Sequence, residues 1–145
     1  VLLFGERLLA LAGDGSWWLG DARAALAEPP TAALAAFSDR GTLLRGVADA
    51  QGHVDLGFGL GLDERPPGAE VAAFLHEDAV ALAIDGGPGT LEATYLSPDR
   101  KGGSWLRVDG RLLRCGQDAP ERRAGDPVRV SLSAAPRPLD DGGPR

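Results

Sequence analysis

LLALAGDGSWWLGDARAALAEPPTAALAAF, residues Leu8 to Phe37, decides how the chain is read. Asp14-Gly15 stands between two apolar runs, the strongest short-range signal for a β-hairpin. A two-residue loop there pairs Ala12 with Trp17, Leu11 with Trp18 and Ala10 with Leu19. One face then carries Leu9, Leu11 and Trp18, and the other Leu8, Ala10, Trp17 and Leu19. Both faces are apolar, and a lone two-stranded hairpin is marginal in water, so this one needs cover on each side. Asp21 follows as the cap of a short helix, Ala22 to Ala27, because its carboxylate can accept from free amides of the first turn. Glu28-Pro29-Pro30 ends that helix, and Pro30 suits the start of a second, Thr31 to Phe37, with Ala33, Leu34 and Phe37 on one face.

Ser38-Asp39-Arg40-Gly41 breaks the pattern, and a domain boundary is expected there, dividing residues 1–39 from 40–140 and a loose tail, 141–145. Beyond it the texture is short β runs between turns. Strands are expected at Thr42–Ala48, His53–Leu62, Glu70–Leu75, Val80–Ile84, Thr90–Leu96 and Val128–Leu132. In His53–Leu62 the apolar residues alternate with Gly57, Gly59 and Gly61, a bare face that another backbone could approach. Ser104 to Cys115 forms a second hairpin around Asp109-Gly110, with Leu106, Val108 and Leu113 inward and Trp105 opposite Arg114 on the outside. The tail from Pro136 is expected to be loose. About seven short strands without long helices predict a mainly β, OB-like small barrel preceded by the hairpin and two short helices.

Composition narrows the function. The net charge is −6, Lys101 is the sole lysine among 15 basic residues, and the arginines are scattered, which disfavours a nucleic-acid backbone as partner. The single cysteine, Cys115, permits no intrachain disulfide and fits a reducing compartment. No apolar run nears the roughly 18 residues of a membrane span. The chain has no methionine, which reads as a piece of something longer.

Motifs for chemistry are absent. There is no G-x-x-x-x-G-K-[ST] loop, and Lys101 precedes Gly102. Asp85-Gly86-Gly87-Pro88-Gly89 reads as a turn, since no capped helix follows it. His53 and His76 have no zinc-like spacing, and His76-Glu77-Asp78 reads as a solvated turn rather than a weak metal site. Cys115 reads as a buried small hydrophobe, and Trp17 and Trp18 as core or interface residues. No catalytic, cofactor-binding or metal-binding residue is assigned.

The order of these features resembles the C-terminal part of the ATP-binding proteins of importer-type ABC transporters. Arg7–Leu11, Gly15, Gly20, the helix Asp21–Glu28, Pro29-Pro30 and Ala33–Phe37 resemble the segment closing the nucleotide-binding domain. Leu43–Ala48, Gln51–Val54, Phe74–Leu82, Arg107–Leu113 and Ala124–Leu132 resemble the OB-like regulatory domain called TOBE. Where that family carries Arg-Pro, this chain has Leu75-His76 and one added residue. Among subfamilies the likeness is to the ferric-iron, polyamine and sulfate importers, and LLRGVADAQGHVDLGFG (residues 43–59) leans toward ferric iron.

The resemblance implies a regulatory and dimerisation domain of a transport ATPase. Its parent would bind ATP and Mg and meet permease subunits at the inner face of the cell membrane. It also implies a homodimer, with an exchanged N-terminal segment as one form of it. The phosphate loop, the Leu-Ser-Gly-Gly-Gln signature and the catalytic histidine of that family have no counterpart here, so no ATP hydrolysis is expected of these residues alone. Two alternatives stay open: a small-ligand sensor for an anion or metal, and a free-standing OB-type binding module.

Overall fold

The structure is a computed structural model that describes residues 2–11, 15, 17–83, 87, 89–99 and 102–139. Strands dominate it. The first three, β1 (Leu2–Phe4), β2 (Arg7–Leu11) and β3 (Trp17–Asp21), form an antiparallel sheet in that order. Two short helices follow, α1 (Ala22–Ala27) and α2 (Ala32–Ala35). Asp21 caps the first as expected, its Oδ1 accepting from the Ala24 amide at 2.7 Å. Thr31 caps the second in the same way, accepting from the Leu34 amide at 3.3 Å.

The remaining chain supplies β4 (Gly41–Val47), β5 (Val54–Gly57), β6 (Leu60–Leu62), β7 (Glu70–His76), β8 (Val80–Ala83), β9 (Leu91–Pro98), β10 (Ser104–Val108), β11 (Arg111–Cys115), β12 (Pro127–Leu132) and β13 (Arg137–Pro138). Five of these make a curled half-barrel in the order β11-β10-β9-β12-β8, faced by β13-β7-β4 and the β5-β6 hairpin. One buried cluster joins them, including Leu44, Val54, Leu56, Leu75, Leu106 and Val130. The mainly β, OB-like class predicted from the sequence is the class observed. Closure is tight where β5 crosses β4: a Cβ at Gly46 would stand 2.6 Å from the Asp55 carbonyl oxygen, so only glycine fits.

The β10–β11 hairpin has the predicted register, with Trp105 opposite Arg114 and Leu106 opposite Leu113. Asp109 and Gly110 both have positive φ, +49° and +77°, as a two-residue loop between twisted strands requires.

Four expectations about strands, helices and the tail are corrected. First, β2 and β3 pair one residue out of the predicted register, with Ala10 opposite Trp18 and Leu11 opposite Trp17. A one-residue slip exchanges faces, and Trp18 now lies with Leu8 and Ala10. Gly20 makes this possible, because a Cβ there would sit 2.5 Å from the Trp18 ring. The predicted turn residue Asp14 lies outside the described residues.

Second, His53–Leu62 is a hairpin, not one strand. Phe58 and Gly59 turn it with φ of +59° and +72°, and Phe58 is held in that rare conformation by burial. The Arg111 side chain approaches Gly57, while Gly61 meets both the His53 ring and the Val54 carbonyl oxygen. Third, Phe37 is exposed and Ala35 is buried, because α2 ends at Ala35 and its inner face meets Ala72, Phe74 and Leu139. Fourth, residues 137–139 are held: β13 pairs with Ala73 and Phe74, and Leu139 is buried. Tail residues 140–145, Ile84 and most of the Asp85–Gly89 turn lie outside the described residues.

Arg114 joins the linker to the barrel. Its guanidinium donates to the Asp39 carbonyl, pairs with the Asp99 carboxylate and lies 4.3 Å from the centre of the Trp105 ring. The Arg114 side chain is 7% exposed and that of Asp99 10%, so Arg114, expected on the outer face, is buried, while Trp105 beside it is half-buried. Cutting one partner from a buried pair leaves an uncompensated charge. Arg114→Ala is expected to lower the urea-unfolding free energy by roughly 3–5 kcal/mol, with Arg114→Lys in between, since lysine cannot stack and fork in the same way. A loss within the range of a surface substitution, about 0.5 kcal/mol, would contradict this assignment.

Candidate functional site

The N-terminal sheet has one face covered and one open. On the covered face Leu8, Ala10 and the half-buried Trp18 pack on Ala22, Ala25 and Leu34 of the two helices. Alternation along the strands puts Leu9, Leu11, Trp17 and Leu19 on the other. Leu11 is 60% exposed, Trp17 57% and Leu19 46%. The sequence reading that both faces are apolar holds, and the helices cover only one of them. A contiguous patch of large apolar side chains on paired strands marks an interaction surface, whereas a single exposed leucine marks nothing.

The bottom of the half-barrel sheet carries a second concavity. Thr94 of β9 stands opposite Pro127 of β12 and Arg107 of β10, while Glu92 stands opposite Arg129. The 109–110 turn and the loop holding Arg122 complete a cavity of about 660 Å³. Arg129 is fixed there, donating to Glu92 Oε1 at 3.0 Å and to Thr90 Oγ1 at 3.4 Å. Three arginines that are scattered in sequence thus share one cavity, which no local pattern signals.

The remaining candidates behave as structural groups. Asp49 builds the turn before β5, its Oδ1 accepting from the amides of Gln51 and His53, each at 2.9 Å. His53 Nδ1 lies 2.7 Å from Asp63 Oδ1. The hydrogen bond to Asp63 raises its pKa above the ordinary imidazole value, with the charges of Asp63, Asp49 and Asp55 adding to it and desolvation opposing it. His76 sits 3.2 Å from the Asp78 amide, to which its Nδ1 is the acceptor, so it caps a single 3-10 turn at Glu77–Ala79. Among the described residues no group of three or more His, Cys, Asp or Glu side chains is placed to hold a metal ion.

Cys115 is fully buried, and its thiol donates to the Val80 carbonyl at 3.2 Å. Burial pushes its pKa up, which keeps it a thiol and removes the thiolate that nucleophilic chemistry requires. No helix among the described residues is long and apolar enough to cross a membrane.

Two results are expected. In separate variants, compared at a protein concentration low enough to keep the chain monomeric, Trp18→Ala should cost roughly 2–3 kcal/mol in urea unfolding because Trp18 is half-buried against the helices, while Trp17→Ala stays within about 0.5 kcal/mol. The reverse ranking would restore the two-residue loop. In an NMR titration, His53 should titrate above about 6.5, the ordinary value, and Asp63→Asn should lower its midpoint. Because the folded-state pKa is raised, this pair's contribution to stability is present below the unfolded value and fades as pH rises through the folded one. An unchanged midpoint in Asp63→Asn would contradict the pairing.

Comparison of the chain with protein-family models gives no match, and comparison with curated proteins gives none.

Proposed function

We propose that this chain is the regulatory and dimerisation portion of the ATP-binding subunit of an ABC importer, with ferric iron as the favoured cargo. In this reading residues 1–39 belong to the end of the nucleotide-binding domain and residues 40–140 to a TOBE-like barrel. The subunit works at the inner face of the cell membrane, peripheral to permease subunits that carry the membrane spans. ATP and Mg act elsewhere in the parent protein, and the residues described here supply contacts and no chemistry.

The observation that carries the proposal is the open face of the N-terminal sheet. A sheet with large apolar side chains on both faces is stable in water when both are covered, and α1 and α2 cover only the Leu8 and Ala10 side. The OB-like barrel that follows supports the reading through its fold and its place after the hairpin. Fold alone does not fix function, so the weight rests on the surface. A second copy presenting the same patch would be self-complementary about a two-fold axis.

Sedimentation velocity tests this. The 145-residue chain is expected to sediment as a dimer at micromolar concentration. The double variant Trp17→Glu with Leu19→Glu should be monomeric and keep its circular-dichroism spectrum, since both side chains point away from the core. A stable monomer for the unmodified chain at micromolar concentration would overturn the proposal.

A further inference from the structure

The arginine-lined cavity shares no residue with the open hairpin face and stands apart from the reading above. Arg107 comes from β10, Arg122 from the loop before β12, and Arg129 from β12 itself. Arg40, Arg114, Arg129 and Arg137 each have a carboxylate partner. Arg107 and Arg122 have none among the described residues. Two guanidinium groups that form no ion pair among the described residues thus line one cavity, in a chain whose net charge is −6. Such groups offer planar, forked donors that match the oxygens of a phosphate or carboxylate.

The cavity also limits what the rest of a ligand can be. At about 660 Å³ it has room for a small organic molecule beyond a bare oxyanion. Among the described residues no aromatic side chain lines it, so they offer nothing for a flat base to stack on. It does offer acceptors: Glu92, already fixed by Arg129, and Asp109 at the hairpin turn. Carboxylates at one side favour a ligand carrying hydroxyl donors, and they disfavour a second anionic group there.

We propose that this cavity binds a phosphorylated polyol of the sugar-phosphate class. The phosphate is held between Arg107 and Arg122, and hydroxyl groups donate to Glu92 and Asp109. Arg129 holds Glu92 in place and is a positioning residue.

Isothermal titration calorimetry on the full chain tests the assignment, with glucose 6-phosphate, inorganic phosphate and glucose as separate probes. Glucose 6-phosphate should give a saturable heat, tighter than phosphate by about tenfold because inorganic phosphate lacks the hydroxyl contacts, and tighter than glucose by more because glucose lacks the charge-assisted bonds to both arginines. Arg107→Ala with Arg122→Ala should remove the saturable heat, and the matching lysine double variant should restore part of it. Both substitutions are on exposed positions, and an unchanged thermal midpoint confirms that the fold survives them. Absence of saturable heat with glucose 6-phosphate, or heat that persists in the alanine double variant, would overturn the site. Phosphate binding as tightly as glucose 6-phosphate would overturn the polyol assignment and mark an adventitious ion only. None of these outcomes depends on whether the chain dimerises, so each can fail without the other.

Discussion

A strand offers its side chains two directions and no third. In the hairpin built by β2 and β3, both directions are occupied by large apolar groups. That constraint organises the molecule. It draws α1 and α2 across one face, where Leu34 closes over Leu8 and Ala10. It leaves Leu11, Trp17 and Leu19 in water on the other. The barrel has a continuous core of its own.

The two halves are joined by few, specific contacts. Ala32 and Ala35 of α2 rest on Ala72, Phe74 and Leu139. Arg137 donates to the Pro29 carbonyl at 2.6 Å, which ties the last strand to the turn between the helices. Arg114 fastens the linker at Asp39 to the wall of the barrel. These contacts fix where the open face stands with respect to the barrel.

Much of the fold was legible in the sequence wherever a single local rule decided the matter. Asp109-Gly110 set the β10–β11 register because only a tight turn with two positive φ angles fits between those strands, and the alternation around it agreed. The same dipeptide at Asp14-Gly15 misled by one residue. With both faces apolar, hydrophobic alternation favoured neither register, and the deciding feature was the small Gly20 beneath the Trp18 ring. Residues 53–62 mimicked a strand because glycines fell at every second position. The turn at Phe58 was hidden, since a buried phenylalanine in a left-handed conformation has no sequence signature. The burial of Arg114 depended on Asp39, far away in the chain, and the arginine cavity on three strands meeting. Long-range pairing carries such sites, and local patterns do not record it.

The account turns on whether the outer face of the hairpin is covered when the protein is in its working assembly. The direct measurement uses a variant in which Trp18 and Trp105 are replaced by phenylalanine, leaving Trp17 as the only remaining one of the 3 tryptophans. Its emission maximum and iodide quenching are followed as protein concentration rises. The account predicts a shift to shorter wavelength and progressive protection from iodide as Trp17 becomes buried against a partner copy. Emission that stays red-shifted and fully quenchable at every concentration would contradict it.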